Sequence, residues 1–300
     1  MIAVLGDCML DIVMQTASPV LQSSYCLAQA TVSPGGSAAN FAVWAARLGA
    51  EVGLIAKVGE DVLGRALLRD LEQEGVAGSV VVGKETTGLT LALVDQGGNR
   101  IMLAARGATS AMSTDDLDWT LLDRADLLHV TAFSFFEDAP RNAALTAMRY
   151  VKRRGNLLSL DPATCNYLQG VGAEAFFTMA REVDIFFPNL AEGRVLTGEH
   201  QAERVMHALL RRFPVVALKM GADGAMAGTG DTILHQPGFA VPVVDVTGAG
   251  DAFAAAFVVT WLAHHDLAAA LKEGNRIAAG VVQAVGARCF TVVPLGSSLR

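Results

Sequence analysis

The chain has 300 residues, of which 52% are hydrophobic and 18% are charged, a composition typical of a compact globular protein and not of a disordered one. Its 30 acidic and 23 basic residues give a formal net charge of -7, and no basic cluster stands out, which argues against a nucleic-acid-binding surface. A phosphate-bearing ligand would therefore be held by local features such as helix N-termini, glycine-rich loops or a metal ion.

The cysteines are widely spaced and form no C-x-x-C pair: Cys8, Cys26, Cys165 and Cys289. This spacing predicts reduced thiols and neither a zinc site nor a disulfide framework. The N-terminal residues show no basic segment or cleavage site, and the apolar stretch 252–263 is too short to span a bilayer. We therefore expect a cytoplasmic protein with no membrane role.

Short β-branched runs alternate with longer helical patterns from the start of the chain. Ile2 to Leu5 and Val52 to Val58 are strand-like, and Ala38 to Leu48 and Val62 to Glu74 are helix-like. This alternation predicts βαβ units in a mostly parallel sheet, with the number of domains left open.

Two segments interrupt the alternation: Asp11 to Val32, and Thr87 to Arg106. The second contains two apolar runs around Gln96-Gly97-Gly98-Asn99, which predicts a β-hairpin. Because apolar side chains point to both faces of the hairpin, we expect it to be covered on both sides, as a lid over a ligand would be if a partner subunit packed on its back. An edge hairpin packed on its own domain is the alternative.

The alternation resumes after residue 110. Further strands are predicted at Leu127 to Val130, Leu157 to Leu160, Ile185 to Phe187, Val215 to Leu218 and Ala240 to Val244. Helices at Ala252 to Ala263 and Leu267 to Val285 close the chain. His129, inside one of these strands, is predicted to be a buried, hydrogen-bonded histidine.

The most informative segment is Asp245-Val246-Thr247-Gly248-Ala249-Gly250-Asp251, which leads directly into an apolar helix. Small residues at a helix N-terminus leave N–H groups unpaired, and these donors, with the helix dipole, can stabilise a transferring phosphoryl group. Asp251 could then accept the proton of an attacking hydroxyl group. Taken alone, the segment is equally compatible with a tight turn and a helix cap.

Two common nucleotide-binding motifs are missing. The chain has no G-x-x-x-x-G-K-[ST], so it is not a P-loop protein. Gly248-Ala249-Gly250 does not continue to the third glycine or alanine of a dinucleotide fold, because Phe253 occupies that position. An α/β oxidoreductase is therefore a minor alternative. Another alternative is a catalytically silent sensor that binds a sugar or nucleotide, but the presence of Asp251 and the glycines before it argues against that function.

A second glycine cluster, Pro34-Gly35-Gly36-Ser37-Ala38-Ala39-Asn40, precedes a predicted helix. The Asn40 side chain can both donate and accept, which suits a vicinal diol, and Asp11, just past the first strand, could accept hydrogen bonds from two hydroxyl groups. Each residue alone also fits a cap or a turn.

A third set follows two predicted strands: Asn189-Leu190-Ala191-Glu192, and Lys219-Met220-Gly221-Ala222-Asp223-Gly224. Its oxygen ligands could hold Mg²⁺ through water; an asparagine cap with a surface glutamate, followed by a hairpin turn, is the alternative. All of these clusters fall where strands end, at the edge where open α/β sheets bind ligands.

These segments resemble the PfkB carbohydrate kinase family over nearly the whole chain. PGGSAANFAVWAARLG at 34–49 resembles its first signature, and DVTGAGDAFAAAF at 245–257 its second. The resemblance implies a single ribokinase-like α/β domain over 1–300, with a mostly parallel central sheet flanked by helices and a small β-sheet lid formed by about 11–33 and 87–107. It also implies ATP and Mg²⁺ as cofactors, and a sugar, sugar acid or nucleoside as the substrate that is phosphorylated.

Roles carried over by matching positions are as follows. The catalytic positions are Asp251, as general base, and Gly248, Ala249 and Gly250, as anion hole. The substrate positions are Asp11, Gly36 and Asn40. The magnesium positions are Asn189 and Glu192, and the nucleotide positions are Lys219, Gly221, Gly224 and Asn275. Asp245 and Thr247 resemble positions that in some members help to bind a monovalent cation such as K⁺.

Two positions bear on the acceptor. Met9 stands where several ribokinase-like members carry a polar sugar contact, which argues against ribose itself. Arg106 follows the lid hairpin and could meet an acidic or phosphorylated substrate, with a solvated loop arginine as the alternative. The acceptor, whether hexose, pentose, nucleoside or sugar acid, is not identified, and a homodimer through the lid is a further expectation.

Overall fold

The structure is a computed structural model that describes residues 1–16, 27–94 and 100–290. Its strands are β1 (Ile2–Leu5), β2 (Met9–Thr16), β3 (Ala28–Gly35), β4 (Val52–Gly59), β5 (Val80–Gly83), β6 (Leu89–Val94), β7 (Arg100–Ala105), β8 (Leu127–Thr131), β9 (Leu157–Asp161), β10 (Ile185–Phe186), β11 (Val215–Lys219), β12 (Ala225–Thr229) and β13 (Thr232–Gln236). Its helices are α1 (Ser37–Arg47), α2 (Val62–Gln73), α3 (Trp119–Arg124), α4 (Asp138–Arg153), α5 (Cys165–Val171), α6 (Ala173–Met179), α7 (Leu190–Thr197), α8 (Ala202–Leu210), α9 (Ala249–His264) and α10 (Leu267–Val281).

Nine of the described strands form a central sheet in the order β13-β12-β11-β10-β9-β8-β1-β4-β5. The strands from β11 to β5 are parallel to their neighbours, and β12 and β13 extend the sheet as an antiparallel hairpin. The chain runs outward from β1 in both directions, to β4 on one side and to β8 on the other. The predicted mostly parallel sheet is confirmed, and such a reversal point is where ligands bind at the carboxyl ends of the strands.

Alternate side chains of the central strands supply two separate cores. In β1, Ile2 and Val4 belong to a buried cluster that includes α1, α9 and α10, whereas Ala3 and Leu5 belong to a second cluster that includes α4 and α8. This burial on both faces explains why the central strands are mostly apolar on both sides. Among the described residues, no helix is both long enough and apolar enough to cross a membrane.

A separate sheet contains the segments that interrupt the alternation. Four described strands form it in the order β3-β2-β6-β7. The predicted hairpin is confirmed as the antiparallel pair β6 and β7, although its loop at 95–99 lies outside the described residues, as does 17–26 of the first segment. The hairpin pairs with β2 of this small sheet, in which β7 is an edge strand, and not with the central sheet.

The predicted strand from Ala240 to Val244 is wrong. These residues are irregular, with Val243 64% and Val244 57% exposed. The Val244 amide donates to the Val282 carbonyl at 2.7 Å, so the segment pairs with the residue that follows α10 instead of with a strand. α10 ends at Val281, earlier than the apolar pattern predicts.

Candidate active site

Asp251 lies in the first turn of α9, and its carboxylate receives two hydrogen bonds from α1. Ser37 Oγ donates to Oδ1 at 2.6 Å, and Asn40 Nδ2 donates to Oδ2 at 3.1 Å. Burial raises the pKa of Asp251 to about 7; the Ser37 and Asn40 hydrogen bonds oppose this shift, and the negative charge of Asp161 supports it. The residue keeps a partly exposed edge. A carboxylate with a pKa near neutrality is well suited to accept a proton from a ligand.

The turn before Asp251 presents backbone donors. Gly248 has φ 76°, and a Cβ there would lie 2.4 Å from the Ala287 Cβ, so only glycine fits. Among the described residues, the amides of Gly250 and Asp251 have no protein acceptor, and α9 has no side-chain cap. The Ala249 amide is 3.3 Å from the Val246 carbonyl, inside the turn. The donors available to an anion are therefore those of Gly250 and Asp251, at the positive end of the α9 dipole.

Lys219 brings a positive charge to the same turn. A Cβ on Gly250 would lie 3.2 Å from Lys219 Nζ, and Nζ donates to Asp161 Oδ2 at 2.6 Å. Burial lowers the pKa of Lys219, but the carboxylates of Asp161 and Glu192 outweigh burial and the net shift is upward. Sequence reasoning missed Asp161; the available signal was a carboxylate at the end of a mostly apolar strand, β9.

Asn189 and Glu192 form a capping box at the start of α7. The Glu192 amide donates to Asn189 Oδ1 at 2.9 Å, and the Asn189 amide donates to Glu192 Oε2 at 2.8 Å. The predicted asparagine cap is present, but Glu192 is 3% exposed and is not a surface residue. Burial, with the charge of Asp161, raises the pKa of Glu192 to about 7, against the opposing effect of Lys219.

Asn189 and Glu192 would suit only one kind of magnesium site. Among the described residues, no three carboxylate, histidine or cysteine side chains meet as they would around a protein-bound metal. Glu192 is a buried carboxylate beside the Lys219 ammonium, with one oxygen already accepting a backbone hydrogen bond. Such a site suits an ion that keeps most of its water and binds mainly to nucleotide phosphates.

Asp11 and Gly36 lie where β2, β3 and α1 meet. A Cβ on Gly35 would lie 2.1 Å from Asp11 Oδ2, so the carboxylate rests on the glycine backbone. Gly36 has φ 89°, and a Cβ there would lie 2.6 Å from the Asp7 carbonyl. Both glycines are thus required by the close approach of β1, β2 and α1.

Asn40 uses both ends of its amide group within the protein. Its Nδ2 donates to Asp251, and its Oδ1 accepts from Arg288 Nε at 2.9 Å. The side chain is buried, with the residue 3% exposed. A contact between Asn40 and a substrate diol therefore stays a prediction, while its contact with Asp251 is present in the protein itself.

Asp7, another residue that sequence reasoning missed, caps α1 from the end of β1. Its carboxylate accepts from the Ser37 amide at 2.9 Å, the Ala38 amide at 3.2 Å and Thr131 Oγ1 at 3.2 Å. The N-cap position of α1 is Gly36, which has no side chain, so the cap comes from a distant residue. The available signal was a carboxylate immediately after the first strand.

Arg106 is not a solvated loop residue. Its side chain is 14% exposed; Nε donates to Glu137 Oε2 at 3.1 Å and Nη2 donates to the Phe133 carbonyl at 2.9 Å. The guanidinium also lies 5.3 Å from the centre of the Phe136 ring. A role for Arg106 in substrate binding would require it to exchange Glu137 for the substrate, and that role stays a prediction.

Two of the predicted nucleotide residues, Gly224 and Asn275, meet at the end of β13, whereas Lys219 lies beside Gly250. Asn275 Nδ2 donates to the Gln236 carbonyl at 2.9 Å, and a Cβ on Gly224 would lie 2.1 Å from the same oxygen. Gly221, with φ 63°, faces open space. Asn275 and Gly224 therefore line one side of the predicted nucleotide site, and the loop that contains Gly221 is open to a ligand.

Asp245 and Thr247 form a local turn just before the N-terminus of α9. The Thr247 amide and Oγ1 both donate to Asp245 Oδ1, at 3.0 Å and 2.7 Å, and the Gly286 amide donates to Oδ2 at 3.1 Å. The turn thus joins the start of α9 to the segment after α10. A monovalent cation at these residues stays a prediction.

Known proteins resemble this chain in sequence and in fold. The model of the pfkB family carbohydrate kinase matches residues 1–292. The ATP-dependent ribose-1-phosphate kinase of Halopiger xanaduensis is 35% identical over 258 residues, which is 85% of this chain and 82% of the relative. The 2-dehydro-3-deoxygluconokinase of Bacillus subtilis is 33% identical over 262 residues, or 84% and 81%. An Escherichia coli protein provisionally named ribokinase II, solved in complex with ATP and Mg²⁺, matches with a TM-score of 0.85 at 26% identity, over 95% of this chain and 94% of that one.

Proposed function

The chain belongs to the pfkB family of carbohydrate kinases, and from that premise we propose that Asp251 is the general base of its reaction. The enzyme is an ATP-dependent phosphotransferase that acts on a hydroxyl group of a small sugar or sugar-like molecule. The observation that carries the proposal is a carboxylate with a pKa near 7 beside two backbone amides, at a helix N-terminus, that have no acceptor in the part of the chain that the structure describes. A silent sensor would have no need of this combination.

The proposed reaction is an in-line transfer. The acceptor oxygen forms a bond to the γ-phosphorus of ATP, the bond from that phosphorus to the β,γ-bridging oxygen breaks, and ADP leaves. Asp251 takes the proton of the hydroxyl group. The amides of Gly250 and Asp251, with the Lys219 ammonium, stabilise the negative charge on the transferring group. Magnesium, when bound with ATP, neutralises charge on the phosphates.

Replacement of Asp251 by asparagine tests the base. We expect Asp251→Asn to lower kcat by about 100-fold to 10,000-fold, because the carboxamide cannot take a proton, with KM for ATP nearly unchanged. The measurement is coupled ADP release. Asp231→Asn, on the exposed turn between β12 and β13, is the matched control and should keep full turnover. Equal turnover of Asp251→Asn and the parent would disprove the assignment.

The acceptor is proposed as a sugar or a sugar derivative. The two relatives named above are a ribose-1-phosphate kinase and a 2-dehydro-3-deoxygluconokinase, so a phosphorylated sugar and a sugar acid enter the test beside neutral hexoses, pentoses and nucleosides. A screen of ADP release over these classes, with and without Mg²⁺ and K⁺, identifies the acceptor. It also tests the proposed cation role of Asp245 and Thr247.

We further propose that the small sheet is a lid and that two chains pair through it. β2 carries Asp11 toward the site, so movement of the sheet would change access to the acceptor. On the face opposite to Asp11, its strands expose large apolar side chains, with Val32 59%, Leu103 54% and Ile101 39% exposed. A second copy of the chain would cover them. A cytoplasmic location also remains a prediction.

A further inference from the structure

Arg288 contacts the site from the segment after α10, and the proposed function gives it no task. Its Nε donates to Asn40 Oδ1 at 2.9 Å, while Asn40 Nδ2 donates to Asp251 Oδ2 at 3.1 Å. A side-chain amide has nearly the same shape with its oxygen and nitrogen exchanged, so the neighbouring groups decide which atom points where. A permanent donor such as Arg288 can face only the oxygen. The NH₂ group is therefore directed to Asp251.

Arg288 is itself held from several directions. Nη1 forms an ion pair with Asp70 of α2, Nη2 lies 3.5 Å from the Gly35 carbonyl, and the side chain is 8% exposed. The preceding residue is also anchored, because the Ala287 carbonyl accepts from Trp44 Nε1 at 3.0 Å. A guanidinium can bond Asp70 and Asn40 at once because its donors form a rigid fork, which a lysine ammonium lacks.

We infer that Arg288 is a positioning residue for the general base. The chain of contacts from Asp70 through Arg288 to Asn40 keeps the amide NH₂ group on Asp251 and so holds the carboxylate in the orientation that meets the acceptor. Without Arg288 the orientation of the Asn40 amide depends on Asp251 alone and is less firmly fixed, and an amide oxygen turned toward the carboxylate repels it. This inference rests on the proposed role of Asp251, and it concerns how that residue is oriented.

The test is a double-mutant cycle between Arg288 and Asn40. We expect Arg288→Gln to lower kcat about tenfold with KM for ATP changed less than about twofold, since the effect acts through one side chain in contact with the base. In the Asn40→Ala background, Arg288→Gln should change kcat by less than about twofold, because its target is gone. Arg288→Lys should keep the pairing with Asp70, and with it the thermal stability, but not the parent kcat.

Lys152→Gln is the matched control. Lys152 pairs with Asp184 at 2.7 Å in a partly buried ion pair of the same kind, at the opposite end of the strands and with no link to Asn40. Lys152→Gln should show a fall in melting temperature comparable to that of Arg288→Gln, and its kcat should be unchanged. If Arg288→Gln does not fold, Asp70→Asn, which removes only the anchor of the guanidinium, should give a smaller loss of kcat in the same direction.

A second readout does not depend on turnover. The two Nδ2–H signals of Asn40, identified in a ¹⁵N spectrum by their loss in Asn40→Ala, should shift and broaden in Arg288→Gln and stay in place in Lys152→Gln. The inference would be overturned by unchanged Asn40 signals in Arg288→Gln or by an unchanged kcat of that variant. It would also be overturned if Arg288→Gln lowered kcat equally with and without Asn40→Ala. Asp251→Asn is assayed beside these variants: if it retains turnover, the proposed base is wrong; if it is inactive while Arg288→Gln matches the parent, only the inference fails.

Discussion

The carboxyl group of Asp251 must be ionised before it can take a proton from the acceptor hydroxyl group. Burial keeps its pKa at about 7, well above the usual range of an aspartate, even though Ser37 and Asn40 donate to it. Burial thus makes Asp251 a stronger base, but it also lowers the fraction of the enzyme in which Asp251 is ionised at neutral pH. Glu192, whose pKa also lies at about 7, is the other carboxylate of the site that titrates in this range.

This balance predicts the pH dependence of the reaction. Because the base acts as a carboxylate, kcat/KM should rise with pH, by about tenfold from pH 6 to pH 8, with its half-maximum near the pKa of Asp251. The measurement is an initial-rate profile at saturating Mg²⁺. In Glu192→Gln the absolute rate should fall, but the rise should remain near neutral pH. Disappearance of the rise in that variant would assign it to Glu192 instead.

His129 shows that a buried titratable residue need not belong to the site. It is 1% exposed, its Nδ1 lies 2.9 Å from Ser159 Oγ, and its ring stacks on Phe41 with centroids 3.7 Å apart. Burial lowers its pKa to about 3, so the ring is neutral at any ordinary pH. The prediction of a buried, hydrogen-bonded histidine is confirmed.

At the scale of elements, the site depends on the placement of two helix N-termini. α9 carries Asp251, and α1 carries both of the side chains that hold it, Ser37 and Asn40. α1 in turn is fixed by Asp7, which bonds two of its first amides and Thr131 on β8. The relation between the two helices therefore passes through the end of β1.

Removal of the Asp7 cap should affect both folding and activity. We expect Asp7→Ala to cost about 2 to 3 kcal/mol of unfolding free energy, because three hydrogen bonds to a buried carboxylate are lost, and to lower kcat, because Ser37 and Asn40 move with α1. Denaturant unfolding and ADP release are the measurements.

Asp266→Ala is the control for this prediction. Asp266 caps α10 through the Ala268 and Ala269 amides at an exposed position. Its loss should cost about 1 kcal/mol and leave kcat unchanged. An Asp7→Ala enzyme with the parent kcat would show that the placement of α1 does not depend on this cap.

At the scale of the whole molecule, the open question is what covers the small sheet. Its apolar outer side chains are exposed in the single chain, whereas both faces of the central sheet are buried by helices of the same chain. A lid with an apolar outer face is unfavourable in water unless a second copy packs on it.

A charge on this surface should separate the two copies. We expect the parent to be a dimer at micromolar concentration and Leu103→Lys to be a monomer, because pairing would bury the added charge without a partner. Light scattering coupled to size exclusion measures the mass. Val82→Lys places the same charge on a 49% exposed apolar residue of β5, at the edge of the central sheet, and should remain a dimer. A monomeric parent would rule out the proposed pairing.

Much of the fold was predictable because its information is local. Apolar runs of strand length alternating with helical patterns predicted β1, β4, β8, β9 and β11, since a period is readable from neighbouring residues. Ala240 to Val244 has the same composition, but it pairs with none of the described strands and is irregular. The pattern alone does not reveal which apolar runs find a partner.

The sequence by itself determined the fold class, the hairpin of the small sheet and the sites of the glycine-rich turns, because each depends on residues close together in the chain. Only the tertiary structure decided how the side chains at those turns meet. Asp7 and Asp161 lie at the site, and Arg106 is paired with Glu137. Arg288 contacts Asn40, which is 248 positions away in the sequence. The physical reason is that strand order brings distant loops to one edge of the sheet, and charged groups gathered there in low dielectric must pair with one another.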